Sequence, residues 1–396
     1  MSTYMAGGPG DGRDGSQAPG HPDPRAALSA EDVASLSAAL DSAVATFMER
    51  DRRPANLVGF GAGVKRTGDQ PTGEKALVAM VQHKVSPDTL AQADLLPTSH
   101  EGVALDVVDV GQVFAGVGLA PLPPAPPAAE QPAPDRKVAA APTPAGGSGL
   151  PALLNTHLRP APGGWSVGHF AITAGTIGTC VYDILPGGSV HPPRPGLGMP
   201  LPFYILSNNH VLAHSNGAKI GDPILQPGPA DNGLFPGDQI AILSRFVPIE
   251  FNPPVPLNQQ RNLVDCAVAA ADLRDIDREI FWIGEVRGWR RKARVLPGAT
   301  VYKTGRTTGW TTERILAVNV TIDVNYPIGN ALFVARFRDQ IVTPRMSAGG
   351  DSGSLVLTDD NVAVGLLFAG SNRITVCNQI ENVRSLLGVE VAQRIL

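Results

Sequence analysis

From residue 150 to the C-terminus, short apolar runs alternate with polar, turn-forming clusters. The runs are HFAITAGTIGTCVYD, PFYILSNNHV, DQIAILSRFVPI, NLVDCAVAAAD, ATVYKTGRTTG, ERILAVNVTIDV, ALFVARFRDQIV, SGSLVLT, VAVGLLFAG and ITVCNQI. They are rich in Val, Ile, Thr and Phe, and Gly, Pro, Asn or Asp punctuate them. Repeated short strands of this kind predict a mainly β fold, a sandwich or a pair of barrels. After them, Val383, Leu386 and Leu387 recur at helical spacing and predict a C-terminal helix. The pattern before residue 116 is different. Val33, Leu36, Leu40, Val44 and Phe47 fall on one helical face, with Ser29 and Asp32 at capping-box spacing ahead of them. This predicts one amphipathic helix ending near Arg52–Pro54. Two β-branched stretches follow, residues 56–65 and 75–84, joined by a Gly/Pro turn at 68–73. A short capped helix is expected over 86–97 and a third strand over 103–111. Residues 28–115 therefore read as a small α+β domain.

Composition sharpens the boundaries. The 396 residues include 44 Gly and 37 Pro, about a fifth of the chain, against roughly 12% in average usage. Part of that excess is clustered. Residues 1–27 form a Gly/Pro-rich tail expected to be disordered, and residues 116–149 a Pro/Ala-rich linker. That leaves residues 150–396 as the β-rich domain. A net charge of -4 argues against a nucleic-acid partner. The basic run RGWRRKAR at 287–294 reads as a solvated loop. No apolar run reaches the ~18–20 residues of a membrane helix, and the first twenty residues lack a signal-peptide core. The three cysteines, Cys180, Cys266 and Cys377, are too few and too odd in number for a disulfide framework. The expectation is a cytoplasmic protein. Gly59, Gly61 and Gly63 do not make a nucleotide loop, because a strand follows them and not a helix. His214 has no accompanying ligand set, so no metal or other cofactor is expected.

One segment carries chemistry: Gly349-Gly350-Asp351-Ser352-Gly353-Ser354. A serine hydroxyl is a weak nucleophile until a base takes its proton. It also needs donors aimed at the oxyanion that develops on a substrate carbonyl, and the backbone N–H groups of Gly350 and Ser352 are the candidates. His210, directly after the apolar strand FYIL, is the candidate general base. Asp265 lies within an apolar strand, where an unpaired carboxylate is expensive, so it needs a partner such as a histidine Nδ1–H. Asp222 and Asp231 are its rivals, although their Gly, Pro and Asn neighbours read as turn chemistry. His169 reads as a structural hydrogen-bonder and Cys266 as a buried, inert thiol.

With these residues in order, the sequence resembles the trypsin/chymotrypsin-like serine peptidases. More narrowly, it is similar to a cysteine-poor branch found in bacteria and plants. The motifs that carry the resemblance are LSNNHV at 206–211, ILQPG at 224–228, VDCA at 264–267, KTGRTTG at 303–309, GGDSGS at 349–354 and GLLFAGS at 365–371. It covers residues 160–396, and the N-terminal unit also looks like the small domain that often precedes this branch.

The resemblance implies a trypsin-like double β-barrel, two six-stranded barrels with the active site between them. It implies that His210 is base and then acid, that Asp265 orients it, and that Ser352 attacks the scissile carbonyl. It further implies an oxyanion hole made by the Gly350 and Ser352 N–H groups. Carried over in the same way, the substrate pocket has Met346 at its base and Phe368, Ala369 and Gly370 along its flank. An apolar base disfavours a cationic side chain and implies small or medium apolar residues before the cleaved bond. The departures are Val211, where disulfide-bearing branches carry Cys after the histidine, and Glu313, where the branch usually has Gly. No sequence feature names a partner for Asp351. The expected function is a serine endopeptidase acting on polypeptides. Two alternatives stand beside it: a peptidase-fold binding or scaffold protein, and a protease that mainly processes itself at its linker. The oligomeric state is not readable.

Overall fold

The computed structural model describes residues 27–49, 53–68, 70–116, 150–184 and 202–391. Nearly all of the expected Gly/Pro-rich tail and Pro/Ala linker lies outside these residues.

The β-branched, turn-punctuated runs become strands as expected, and the fold is mainly β with two barrel-like sheets. One sheet takes Ser166–His169, Gly175–Thr176, Thr179–Asp183, Phe203–Ser207, Pro223–Leu225, Gln239–Phe246 and Ala267–Ala271, and is closed off by Val389–Val391. The other takes Thr300–Gly305, Gly309–Arg314, Ala317–Ile328, Ala331–Pro344, Leu355–Thr358, Val362–Gly370 and Ile374–Gln379. An apolar layer that includes Val181, Leu206 and Cys266 from the first part and Leu355, Leu366 and Ile380 from the second joins them. Burying one such Leu or Ile contributes about 1.5–3 kcal/mol. The C-terminal helix Ile380–Leu387 buries Ile380, Val383 and Leu387 in that layer, while Leu386 faces outward.

The second sheet does not end with its own strands. Its edge at Ala317–Ile328 pairs antiparallel with Leu57–Thr67, and the sheet continues through Gln70–Val81 and Val103–Asp109. Gly59, Gly61 and Gly63 explain how closely these strands approach. A Cβ added there would lie 2.7 Å from Thr321 O, 2.5 Å from Val320 Cγ2 and 2.8 Å from Leu316 O. The helical segments Ala30–Ser35 and Ser37–Ala43 lay Val33, Leu36 and Leu40 on a core shared with Val301, Met346 and Val356. Arg336, fully buried, binds both oxygens of Asp323 and donates to the Met48 carbonyl at 3.0 Å.

Three local expectations differ from what forms. The single helix expected from Val33 to near Arg52–Pro54 is, over its described residues, two short α segments followed by a π-helical turn, Val44–Met48, with the Ser29–Asp32 capping box present, while residues 50–52 lie outside the described residues. Residues 86–97 form two 3₁₀ turns, Pro87–Thr89 and Gln92–Asp94, with none of their residues buried. A short helix without a buried face has no tertiary packing to offset its nucleation cost. The hairpin at 68–73 is also tighter than expected, since Thr67 already pairs with Gln70.

Candidate active site

Strand Phe203–Ser207 runs directly into a four-residue helix, Asn209–Leu212, which turns His210 out of the sheet. Asp265 sits just ahead of strand Ala267–Ala271, fully buried. Its Oδ2 lies 2.6 Å from His210 Nδ1, and its Oδ1 accepts the His210 backbone N–H at 3.1 Å. The same carboxylate thus sets both the ring and the backbone of the histidine. The loop holding Asp265 is itself fixed. Asn208 donates to the Asp265 carbonyl at 2.8 Å, and the Asp265 N–H donates to Asn378 Oδ1 at 3.0 Å. His210 Nε2 has no hydrogen-bond partner among the described residues. With Nδ1–H donated to Asp265, Nε2 is the proton-accepting nitrogen.

Tyr326 is a further member that sequence reasoning missed. Its hydroxyl donates to Asp265 Oδ2 at 2.7 Å, and its ring stands edge-on to the imidazole. Burial, reinforced by the Asp265 charge, pushes the phenol well above its ordinary value, so it remains a donor. A hydrogen bond to a charged group contributes about 1.5–3 kcal/mol. Tyr326→Phe is expected to lower the unfolding free energy by about that amount, read as an earlier urea midpoint with an unchanged slope. A midpoint equal to wild type would show that the bond contributes nothing.

Ser352 lies in the turn before strand Leu355–Thr358 and lines the same cavity as His210, together with Gly349, Gly350 and Arg306. The Gly349–Gly350 and Asp351–Ser352 peptide groups are oriented by their carbonyls. Thr307 Oγ1 donates to Gly349 O at 2.7 Å, while Ser354 N and Oγ donate to Asp351 O at 3.0 and 2.6 Å. In a trans peptide the N–H points opposite the C=O, so the Gly350 and Ser352 N–H groups face away from these anchors. Neither has a hydrogen-bond acceptor among the described residues. Gly350 has φ +95°, and a Cβ there would meet Thr307 Oγ1 at 2.4 Å, so no other residue fits without displacing the turn.

Asp351, without a partner in the sequence reading, has five donors. Thr307 N and Thr308 N reach Oδ1 at 2.8 and 3.1 Å. Thr308 Oγ1, Ala348 N and Lys303 Nζ reach Oδ2 at 2.6, 2.9 and 3.3 Å. Lys303 and Asp351 are both fully buried. Burial pulls the lysine below its ordinary value, with Asp351 opposing that shift. Lys303 lies inside strand Thr300–Gly305, whereas Asp265, expected within a strand, sits in the loop before Ala267–Ala271; in both cases the signal in the sequence is a charge among apolar neighbours.

The rival carboxylates are engaged elsewhere. Asp222 binds His169 Nε2 at 3.1 Å and Lys219 N at 2.7 Å. Burial lowers the His169 pKa, against the pull of Asp222. Asp231 makes a bidentate pair with Arg306 and accepts from Ser166 Oγ. His214 stacks against His169 with ring centroids 5.9 Å apart, and no cluster of three metal-ligating side chains occurs among the described residues. All three cysteines are free and buried, and burial pushes the Cys180 and Cys377 thiols up to about 12 and Cys266 well above its ordinary value. Within the basic run, Arg290 pairs with Asp360 and Lys292 with Asp339.

The pocket residues are placed differently from one another. Met346 is buried in a core shared with Val33, Leu36 and Leu40 of the N-terminal helical segments, and is not among the residues lining the cavity of His210 and Ser352. Phe368 and Ala369 belong to a neighbouring apolar cluster. Ala369 and Gly370 lie on the strand next to the turn that holds Ser352, and their outer edge pairs with Ala115 and Phe114. Among the described residues, no helix is long and apolar enough to cross a membrane.

No family model matches the chain, and no curated protein matches it. Among solved structures it is similar to Protease A of Thermobifida fusca, at 16% identity over 59% of this chain and 99% of that one, TM-score 0.38. A glutamic-acid-specific serine protease matches at 18% identity, 59% and 100% coverage, TM-score 0.38. A Cellulomonas bogoriensis chymotrypsin matches at 18% identity, 59% and 99% coverage, TM-score 0.37.

Proposed function

We propose that the protein is a serine endopeptidase that hydrolyses polypeptides through a Ser352–His210–Asp265 triad. The observation that carries this reading is the buried His210–Asp265 pair, whose Nε2 is left without a hydrogen-bond partner among the described residues, on a ring that lines one cavity with Ser352. In the forward step Nε2 takes the Ser352 proton as Oγ attacks the scissile carbonyl. Asp265 holds the neutral imidazole in the tautomer with Nδ1–H and stabilises the imidazolium that forms. The carbonyl oxygen gains charge and is met by the Gly350 and Ser352 N–H groups, neither of which has an acceptor among the described residues. His210 then gives its proton to the departing amine, leaving an acyl-Ser352 ester. A water deprotonated by the same nitrogen cleaves that ester. This chemistry needs no cofactor, and the three buried free cysteines fit a reducing compartment.

The experiment is direct. Folded wild-type protein incubated with a fluorophosphonate is expected to carry the label on the tryptic peptide containing Ser352. A folded protein that stays unlabelled, both alone and after the cleft is opened by the variants described below, would favour the scaffold reading.

A further inference from the structure

The cleft beside Ser352 already holds a piece of this chain. Residues Phe114–Ala115 form a two-residue strand that pairs antiparallel with the end of Val362–Gly370: Ala115 lies opposite Ala369, and Phe114 opposite Gly370. The chain is pinned on the way in. Ser371 Oγ donates to Val110 O at 2.5 Å, and Asn325 donates to Val113 O through its backbone N–H at 2.9 Å and its side chain at 3.0 Å. Val113 and Ala115 are 1% and 2% exposed and pack with Phe368, Ala369 and Tyr326. The next residue, Gly116, reaches the site itself. A Cβ built on it would lie 3.4 Å from His210 Cδ2, and Ala115 and Gly116 line the cavity with His210 and Ser352.

We propose that residues 113–116 are a resident occupant of the substrate cleft, holding it closed to other peptides until the strand is released. The inference rests on the peptidase reading for what the cleft is, but its geometry stands apart from catalysis. The direction of the chain matters: it runs from Gly370 past Ala369 toward His210, so its C-terminal side arrives at Ser352. An extended peptide bound there for acyl transfer would lie in the same lane and pair with the same strand edge. Main-chain pairing supplies affinity in such strand addition, while alternate side chains set preference. In this lane the side chains are Phe114, Ala115 and Gly116, small beside the imidazole and apolar before it. A tethered segment acts at an effective concentration in the millimolar range, so an untethered peptide below that concentration is excluded.

The test uses the full chain with Ser352→Ala, so that nothing is cleaved, and the peptide acetyl-Val-Phe-Ala-Gly-amide as probe. In that background Phe114→Pro removes a strand N–H, and Ala115→Glu places a carboxylate in the apolar cluster. Either change is expected to release the strand and tighten probe binding at least tenfold by calorimetry. The Pro variant retains the apolar residues of the cluster and serves if the Glu variant does not fold. Equal probe affinity with and without the release variants, or binding to neither, would overturn the proposal. In the Ser352-containing protein the same changes are expected to speed fluorophosphonate labelling at least tenfold. Absence of label in every form, together with tighter probe binding after release, would reject catalysis while leaving the occupied cleft in place.

Discussion

Asp265→Asn is expected to lower turnover by about 10⁴ while leaving the protein folded, on the precedent of triads in which the acid becomes an amide. The carboxylate accepts three hydrogen bonds, from His210 N, His210 Nδ1 and Tyr326 Oη. An amide cannot replace it in either orientation. With its NH₂ on the Oδ2 side, it faces the ring and the phenol, and the imidazole must take the tautomer with Nδ1 unprotonated. Nε2 then carries the hydrogen and cannot accept the one on Ser352. With its NH₂ on the Oδ1 side, it faces the His210 backbone N–H, donor against donor. The measurement is kcat on a peptide substrate identified by library cleavage, with circular dichroism to confirm folding. A variant that turns over like wild type would remove Asp265 from the triad, and because Asp222 and Asp231 are bound to His169 and Arg306, no rival among the described residues stands ready.

Lys303→Met is expected to destabilise the protein by about 3–5 kcal/mol, the usual cost of removing one partner of a buried ion pair. Asp351 would keep its backbone and hydroxyl donors but lose its counter-charge at zero exposure. The effect should reach catalysis because Asp351 lies between the two proposed oxyanion donors, and its carboxylate fixes the turn through Thr307, Thr308 and Ala348. Loss of one such donor costs about 10²–10³ in rate. Lys303 is a positioning residue: it touches Asp351, Thr308 and the Gly309 carbonyl but does not line the cavity. The double change Lys303→Met with Asp351→Asn separates the two effects. Removing both charges is expected to return much of the stability, since the penalty lies in the unpaired charge, while turnover stays low because the turn has lost its anchor. A single variant with wild-type melting and turnover would sink the argument. A double variant that regains full turnover would show that Lys303 acts on stability alone.

Much of this was legible along the chain. Alternating short apolar runs between turn residues specify strands because side chains on a strand face opposite sides with period two. Asp265 stood out because a carboxylate among Val264, Cys266 and Ala267 requires a partner. Lys303, a charge among Val301, Tyr302 and Thr304, follows the same logic. Tyr326 and Asn378 could not be found this way, since a Tyr or Asn in a strand is unremarkable until its partner is known. The helix expected over 86–97 failed because its propensity had no buried face to support it. The packing of Met346 with Val33, Leu36 and Leu40 joins segments distant in the chain and leaves no local pattern in either.

The sequence by itself determined the strands, the Gly-rich turn that holds Ser352, and His210 and Asp265 as candidates, because those depend on local pattern and on the cost of burying polar groups. Only the tertiary structure decided which aspartate meets His210, what anchors Asp351, and that Leu57–Thr67 joins the sheet of the second barrel. It alone placed residues 113–116 against Ala369 and Gly370. Each of these joins positions far apart in the chain. Hydrogen-bond and strand-edge complementarity between such positions leaves no periodicity in either segment, so it becomes visible only when the two are brought together.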